Sequence, residues 1–184
     1  MKIIAIIPAR ADSKRLKNKN IHPVWNKPML FWAIKACKES KYNIEPWVST
    51  ENEEIANIAS RLGAQIHERD AKFSKDHIYK QAVIRSAAEF IYDTHEKPDI
   101  VISLQANSPE IKSSHLDSAI DIFLKYGRDE VFSVDSNMMQ NAAFRIFKSD
   151  YVFQKDLSTN CGVFICDLHD VHTLEDIKKL ERNV

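Results

Sequence analysis

Apolar residues in this chain fall in short blocks whose period switches between two and 3.6. Lys2 to Pro8 is Ile-rich and stopped by proline, which predicts a buried strand. Pro28 then opens a predicted helix through Ser40, with Leu30, Ala33, Ile34 and Cys37 along one face. "PWVST" is a second strand. Thr50 and Glu53 form a capping-box pattern before a helix whose stripe is Ile55, Ala56, Ile58, Ala59 and Leu62, with Gly63 at its C-terminal cap. "AQIHE" is a third strand, and "IYKQAVIRSAAEFIY" has helical spacing. "DIVISLQ" is apolar nearly throughout, as a central parallel strand must be. "SSHLDSAIDIFLKYG" is a helix with a serine cap and Gly127 at its end. "EVFSVD", "FRIFKSD" and "GVFICD" are predicted strands, and Thr173 with Asp176 opens a last short helix.

This alternation predicts an α/β fold, a doubly wound and mostly parallel sheet. Ligands of such sheets bind at the carboxyl ends of the strands. The loops of interest follow Pro8, Val48, Leu104 and Ile165. No internal repeat or linker is visible, so residues 1–184 are expected to form one domain.

Composition narrows the partners. The 184 residues are 44% hydrophobic and 28% charged, ordinary for a globular protein. Lys+Arg and Asp+Glu balance at 26 each, which leaves no global electrostatic case for nucleic acid or a membrane surface. No apolar run nears the roughly 20 residues that span a bilayer, and no secretory cleavage pattern is present. A cytoplasmic protein is expected, with Cys37, Cys161 and Cys166 as buried thiols rather than disulfides. His67, His77, His95 and His115 lack ligand-like spacing and are expected at the surface.

The charge is locally uneven. Residues 10–20 carry Arg10, Lys14, Arg15, Lys17 and Lys19 against Asp12 alone, five bases and one acid. A compact anion suits such a loop. The chain has 3 glycines, Gly63, Gly127 and Gly162, none near this loop, so GxxxxGK[ST] and GxGxxG backbone cradles are excluded. Neutralisation by side chains remains: Arg10 for a bidentate grip, Lys14 as a point charge and Ser13 as a hydroxyl donor.

"IIPARADSKRLKNKN" closely resembles the signature of the sugar-acid cytidylyltransferases, the CMP-acylneuraminate synthetase family with the Kdo cytidylyltransferases as relatives. The resemblance continues in order through "WVSTENEEIANIASRLGAQIHERD", "RDAKFSKD", "LQANSPEIKSSHLDSAI", "NCGVFICD" and "DVHTLEDIKKLE". It implies a Rossmann-like, glycosyltransferase-A-like nucleotidyltransferase with three layers. It further implies transfer of CMP from CTP to a 2-keto sugar acid, with Mg²⁺ and release of pyrophosphate. By motif position, Arg10, Ser13 and Lys14 would hold the phosphates, Lys14 and Arg10 favouring the developing charge. Asn20 would read cytosine, and Arg69 would lie near the nucleotide. Asp76 matches a family acid, although a helix cap is the reading preferred for it. Gln105, Asn107 and Ser108 would meet the sugar acid, Arg145 its carboxylate, and Asp170 with His172 the metal. A homodimer is the family habit.

The chain departs from the pattern at four places. Asp12 brings an acid into the phosphate loop, where a unit charge near 4 Å is worth about 4 kcal/mol at an effective dielectric of about 20. The two-aspartate metal element reads Asp170 and His172; Mg²⁺ wants hard oxygen ligands and imidazole replaces one poorly, which leaves Mn²⁺ open as the ion. "LQANSP" stands for LQPTSP. The regions that supply the family's dimerisation arm and acceptor pocket, between Val134 and Asn160 and between Cys166 and Asp170, are short. An altered enzyme and a degenerate homologue that holds CTP without turnover are both open. A third reading builds a metal site on Asp167, His169, Asp170 and His172.

Overall fold

The computed structural model describes residues 1–11, 13–74 and 78–182. Asp12, Asp76 and His77 lie outside the described residues. In chain order the strands are β1 (Ile3–Pro8), β2 (Pro23–Val24), β3 (Lys27–Pro28), β4 (Glu45–Thr50), β5 (Gln65–Glu68), β6 (Ile100–Leu104), β7 (Glu130–Val134), β8 (Gln140–Lys148) and β9 (Cys161–Ile165). The helices are α1 (Met29–Lys38), α2 (Glu53–Arg61), α3 (Lys80–Thr94), α4 (Ser113–Lys125) and α5 (Leu174–Arg182).

Among the described residues, seven strands form one sheet in the order β5-β4-β1-β6-β8-β7-β9. β5, β4, β1 and β6 are parallel neighbours, as are β7 and β9. β8 runs antiparallel to both β6 and β7. β6 is central and buried at every position, the expected fate of an uninterrupted apolar run. The period-two pattern of β1 sorts its side chains cleanly. Ile3, Ala5 and Ile7 enter a core shared with α1, α2 and α4, while Ile4 and Ile6 enter another shared with α3. The expected three layers follow.

A third cluster joins distant parts of the chain. Val24 and Met29 pack with Val171, Ile177 and Leu180, and Trp25 lies against them. β2 and β3 form a minimal hairpin whose turn residues, Trp25 and Asn26, have φ of 49° and 61°. The Trp25 N–H donates to Glu181 on α5 at 3.0 Å, fixing the last helix to this hairpin. Thr173 and Asp176 cap α5 reciprocally, as the pattern predicts.

Five expectations are corrected. Asn52, not Thr50, caps α2: its side chain accepts from the Ile55 N–H at 2.9 Å, while the Thr50 hydroxyl accepts from the Asn52 N–H. The cap position of α4 is Lys112, with Ser113 already helical. His67 is buried, its ring paired to the Ser49 hydroxyl at 3.0 Å. Cys161 is half-buried on the edge strand, while Cys37 and Cys166 are buried as expected. β8 also starts at Gln140, before the predicted run.

Candidate active site

The basic loop leaves β1 and is tied at once to its neighbour: the Ala9 N–H donates to Ser49 O at 2.9 Å. Glu51, just after β4, then acts as a bracket. One carboxylate oxygen accepts from the Ala11 N–H at 2.9 Å; the other accepts from Arg69 Nε at 3.1 Å and from Arg69 Nη2. Arg69 follows β5, and its own N–H donates to Thr50 O at 2.9 Å. Three strand ends are thereby joined through one acid. Burial opposes ionisation of Glu51, yet the bonds from Arg69 and Ala11 hold its carboxyl below the usual range. Asn20, buried in the short turn Lys19–Ile21, donates from Nδ2 to Arg10 O at 2.9 Å and folds the loop back on itself.

A cavity of about 260 Å³ opens at these strand ends. Arg10, Ser13, Lys19, Asn20 and Arg69 line its loop side. Gln105 and Asn107, from the segment after β6, line it as well. Lys14 is exposed and Lys19 is the loop lysine that lines the cavity. Burial lowers the Lys19 ammonium pKa, Asp170 opposes this, and Arg15 and Arg10 add to it. A larger cleft of about 700 Å³, between Trp32 and the start of α4, is lined by Asp167 of the third reading and by none of the residues expected at nucleotide or acceptor.

The segment after β6 is clasped to the chain's last limb. Val171 N–H donates to Asn107 O at 2.8 Å, and Asn107 Nδ2 returns a bond to Val171 O at 3.1 Å. The buried Ser108 hydroxyl donates to Asp170 at 2.5 Å. His172 presents a buried Nδ1 without a partner, and burial, with Lys19 and Arg15, lowers its pKa. A neutral imidazole beside a carboxylate fits a divalent cation that also takes phosphate oxygens, the usual mode for such ions at nucleotides. The four-residue metal reading fails. Among the described residues no three His, Cys, Asp or Glu side chains gather around a point. His169 pairs with Glu110, and Asp167 accepts from the Ser136 N–H.

Arg145 sits on β8 with its guanidinium on Glu130 through Nε and Nη2. It lines a neighbouring cavity of about 330 Å³ rather than the first. Lys80, at the start of α3, lines both. Sequence reasoning missed Glu51, Lys19 as a lining residue, and Lys80. The KN pair marked Lys19 only as part of the field; nothing in the pattern marked the other two.

Cations and amides gathered at the carboxyl ends of parallel strands make this an α/β protein shaped to receive an anionic ligand. The cytidylyltransferase family profile matches residues 4–181, and the chain belongs to that family. It is 36% identical over 132 residues to N-acylneuraminate cytidylyltransferase A of Danio rerio, a match covering 72% of this chain and 30% of the relative. It is 32% identical over 126 residues to pseudaminic acid cytidylyltransferase of Campylobacter jejuni, covering 68% of this chain and 54% of that one. The matched segments thus span about a third to a half of these relatives. Among solved structures, CMP:2-keto-3-deoxy-manno-octonic acid synthetase complexed with CTP shares the fold, at TM-score 0.80 and 15% identity, covering 100% of this chain and 98% of that one. Rv0371c of Mycobacterium tuberculosis in complex with manganese does so at TM-score 0.70 and 12% identity, with 100% of both chains covered. No helix among the described residues is long and apolar enough to cross a membrane.

Proposed function

We propose that this chain binds CTP in the cavity at the ends of β1, β5 and β6 and transfers CMP to a 2-keto sugar acid, releasing pyrophosphate. The convergence of Arg10, Ser13, Lys19, Asn20 and Arg69 on one cavity carries this reading. Arg10 grips the phosphates, Ser13 donates a hydroxyl bond, and Lys14 and Lys19 supply positive potential as charge develops on the leaving group. Asn20 offers the donor and acceptor that a cytosine edge requires. Gln105 and Asn107 orient the acceptor so that its anomeric hydroxyl approaches the α-phosphorus in line, Ser108 acts from behind by holding Asp170, and Arg145 stands toward the acceptor's acid end. Asp170 and His172 would hold a divalent ion, Mg²⁺ or Mn²⁺, which neutralises phosphate charge when bound. The whole chain acts as one domain with a shortened acceptor and dimerisation region, pairs as a homodimer, and works in the cytoplasm with its thiols reduced.

The test follows pyrophosphate with each nucleoside triphosphate, Mg²⁺ or Mn²⁺, and a panel of sugar acids. CTP-dependent release is expected, greater with Mn²⁺, and lowered tenfold or more by Asp170→Ala. Release that is equal for all four nucleotides, or unchanged in Asp170→Ala, refutes the assignment. One observation favours a second reading, a CTP holder without turnover: a single carboxylate, Asp170, stands where the family pattern has two. Tight CTP binding with no release on any acceptor would select it.

A further inference from the structure

Resting on the transfer reading, we propose that the 330 Å³ cavity beside the nucleotide cavity is the acid-end subsite of the acceptor, with Lys80 and Ser103 receiving its carboxylate alongside Arg145. The cavity lies where β6 meets the antiparallel β8, and Ser103 and Arg145 are register partners across that pair. Lys80 is the one described residue lining both cavities, so it joins them. It donates to Ala142 O at 3.2 Å, and an ammonium has three donors, so capacity for a ligand oxygen remains.

Three further observations point to an anion. Ser103 Oγ is buried at this cavity without a hydrogen-bond partner, a cost that a ligand oxygen would offset. Arg145 gives Nε and Nη2 to Glu130, which also accepts from the Ser158 N–H, so the charge of that acid is offset by its own partner. Lys80 itself sits badly for stability. It opens α3, where the helix dipole disfavours a cation, and burial brings its pKa down to about 8, with Asp170 opposing and Arg145 adding. A cation held against both effects is explained by a ligand. Among the described residues lining this cavity, Arg145 is paired with Glu130 and Lys80 carries the remaining positive charge, which suits a single carboxylate.

The experiment titrates N-acetylneuraminate, pseudaminate and 2-keto-3-deoxy-manno-octonate, each against its methyl ester, into the CDP-bound protein, where no transfer from CTP occurs. In the wild-type chain at least one acid should bind tenfold or more tighter than its ester. Lys80→Met should remove that preference, with any CDP loss smaller than the loss for the acid and with an unchanged or raised melting temperature. Ser103→Ala should weaken the acid at least threefold with the fold intact. Equal losses for acid and ester, a CDP loss as large as the acid's, or a wild-type chain that prefers none of the acids overturns the assignment. An intact acid preference without pyrophosphate release from CTP refutes the transfer reading instead.

Discussion

Glu51 shows how one residue positions a loop that carries no glycine. Its two oxygens serve different strands' ends, Ala11 on one side and Arg69 on the other. Glu51→Gln keeps the size and removes the charge that both partners use. We expect a loss of about 1–2 kcal/mol in urea unfolding, since hydrogen bonds to charged groups are worth about 1.5–3 kcal/mol and this acid is partly solvated. CTP affinity should fall with it. The sign of the pH effect follows from the lowered carboxyl pKa. The contribution of Glu51 is fully present above its ordinary value of 4.5 and is lost as pH falls through the folded value. Wild type should therefore lose more stability than Glu51→Gln between pH 5 and pH 3, to be read from urea midpoints. Arg10, Asn20 and Arg69 were legible in the sequence because a motif fixes their order. Glu51 was not: in "TENEE" it reads as part of an acidic helix start, and only the fold turns it toward Arg69.

At the scale of elements, strands and helices were legible because burial writes its period into the chain. What was lost is direction. A strand's carboxyl end marks the ligand edge only if the strand is parallel to its neighbours. β8 is reversed, so its beginning, Gln140 to Ala142, lies at that edge, and Gln105 N–H bonds Ala143 O there at 2.9 Å. The second cavity was therefore invisible to a rule that looked only after strands. Helix ends were read to within a residue or two, yet the capping atom at α2 was missed, because Thr50 and Asn52 are both ordinary capping residues and the Thr50 hydroxyl is taken by the Asn52 N–H. At α5 the capping pair was read correctly, and it leads to a prediction. Thr173→Ala should cost about 1 kcal/mol. Because His172 and Thr173 N–H both bond Asp176, it should also loosen the segment bearing His172 and weaken Mn²⁺ binding to the CTP complex. Unaltered Mn²⁺ affinity would argue against that coupling.

For the molecule as a whole, the sheet centre sets cooperativity. Ile102 on β6 is fully buried in the larger core, facing elements from both halves of the chain. Ile102→Ala should cost about 2–5 kcal/mol, as large-to-small changes at filled sites do, and should shift circular dichroism and fluorescence transitions together. Separated transitions would mean that the halves unfold independently. Family and layer order were readable from the whole chain at once, since motifs recur in sequence along it. The docking of α5 on the β2–β3 hairpin was not, because it joins residues about 150 positions apart through Trp25 and Glu181. That contact has an optical consequence. Trp25 touches the limb that carries Asp170 and His172, whereas Trp47 stacks edge-on with Phe90 and His95 on the other side of the sheet. A chain whose indoles at 32 and 47 are replaced by phenylalanine would emit from Trp25 alone, making the metal-bearing limb a label-free fluorescent gauge of its own docking.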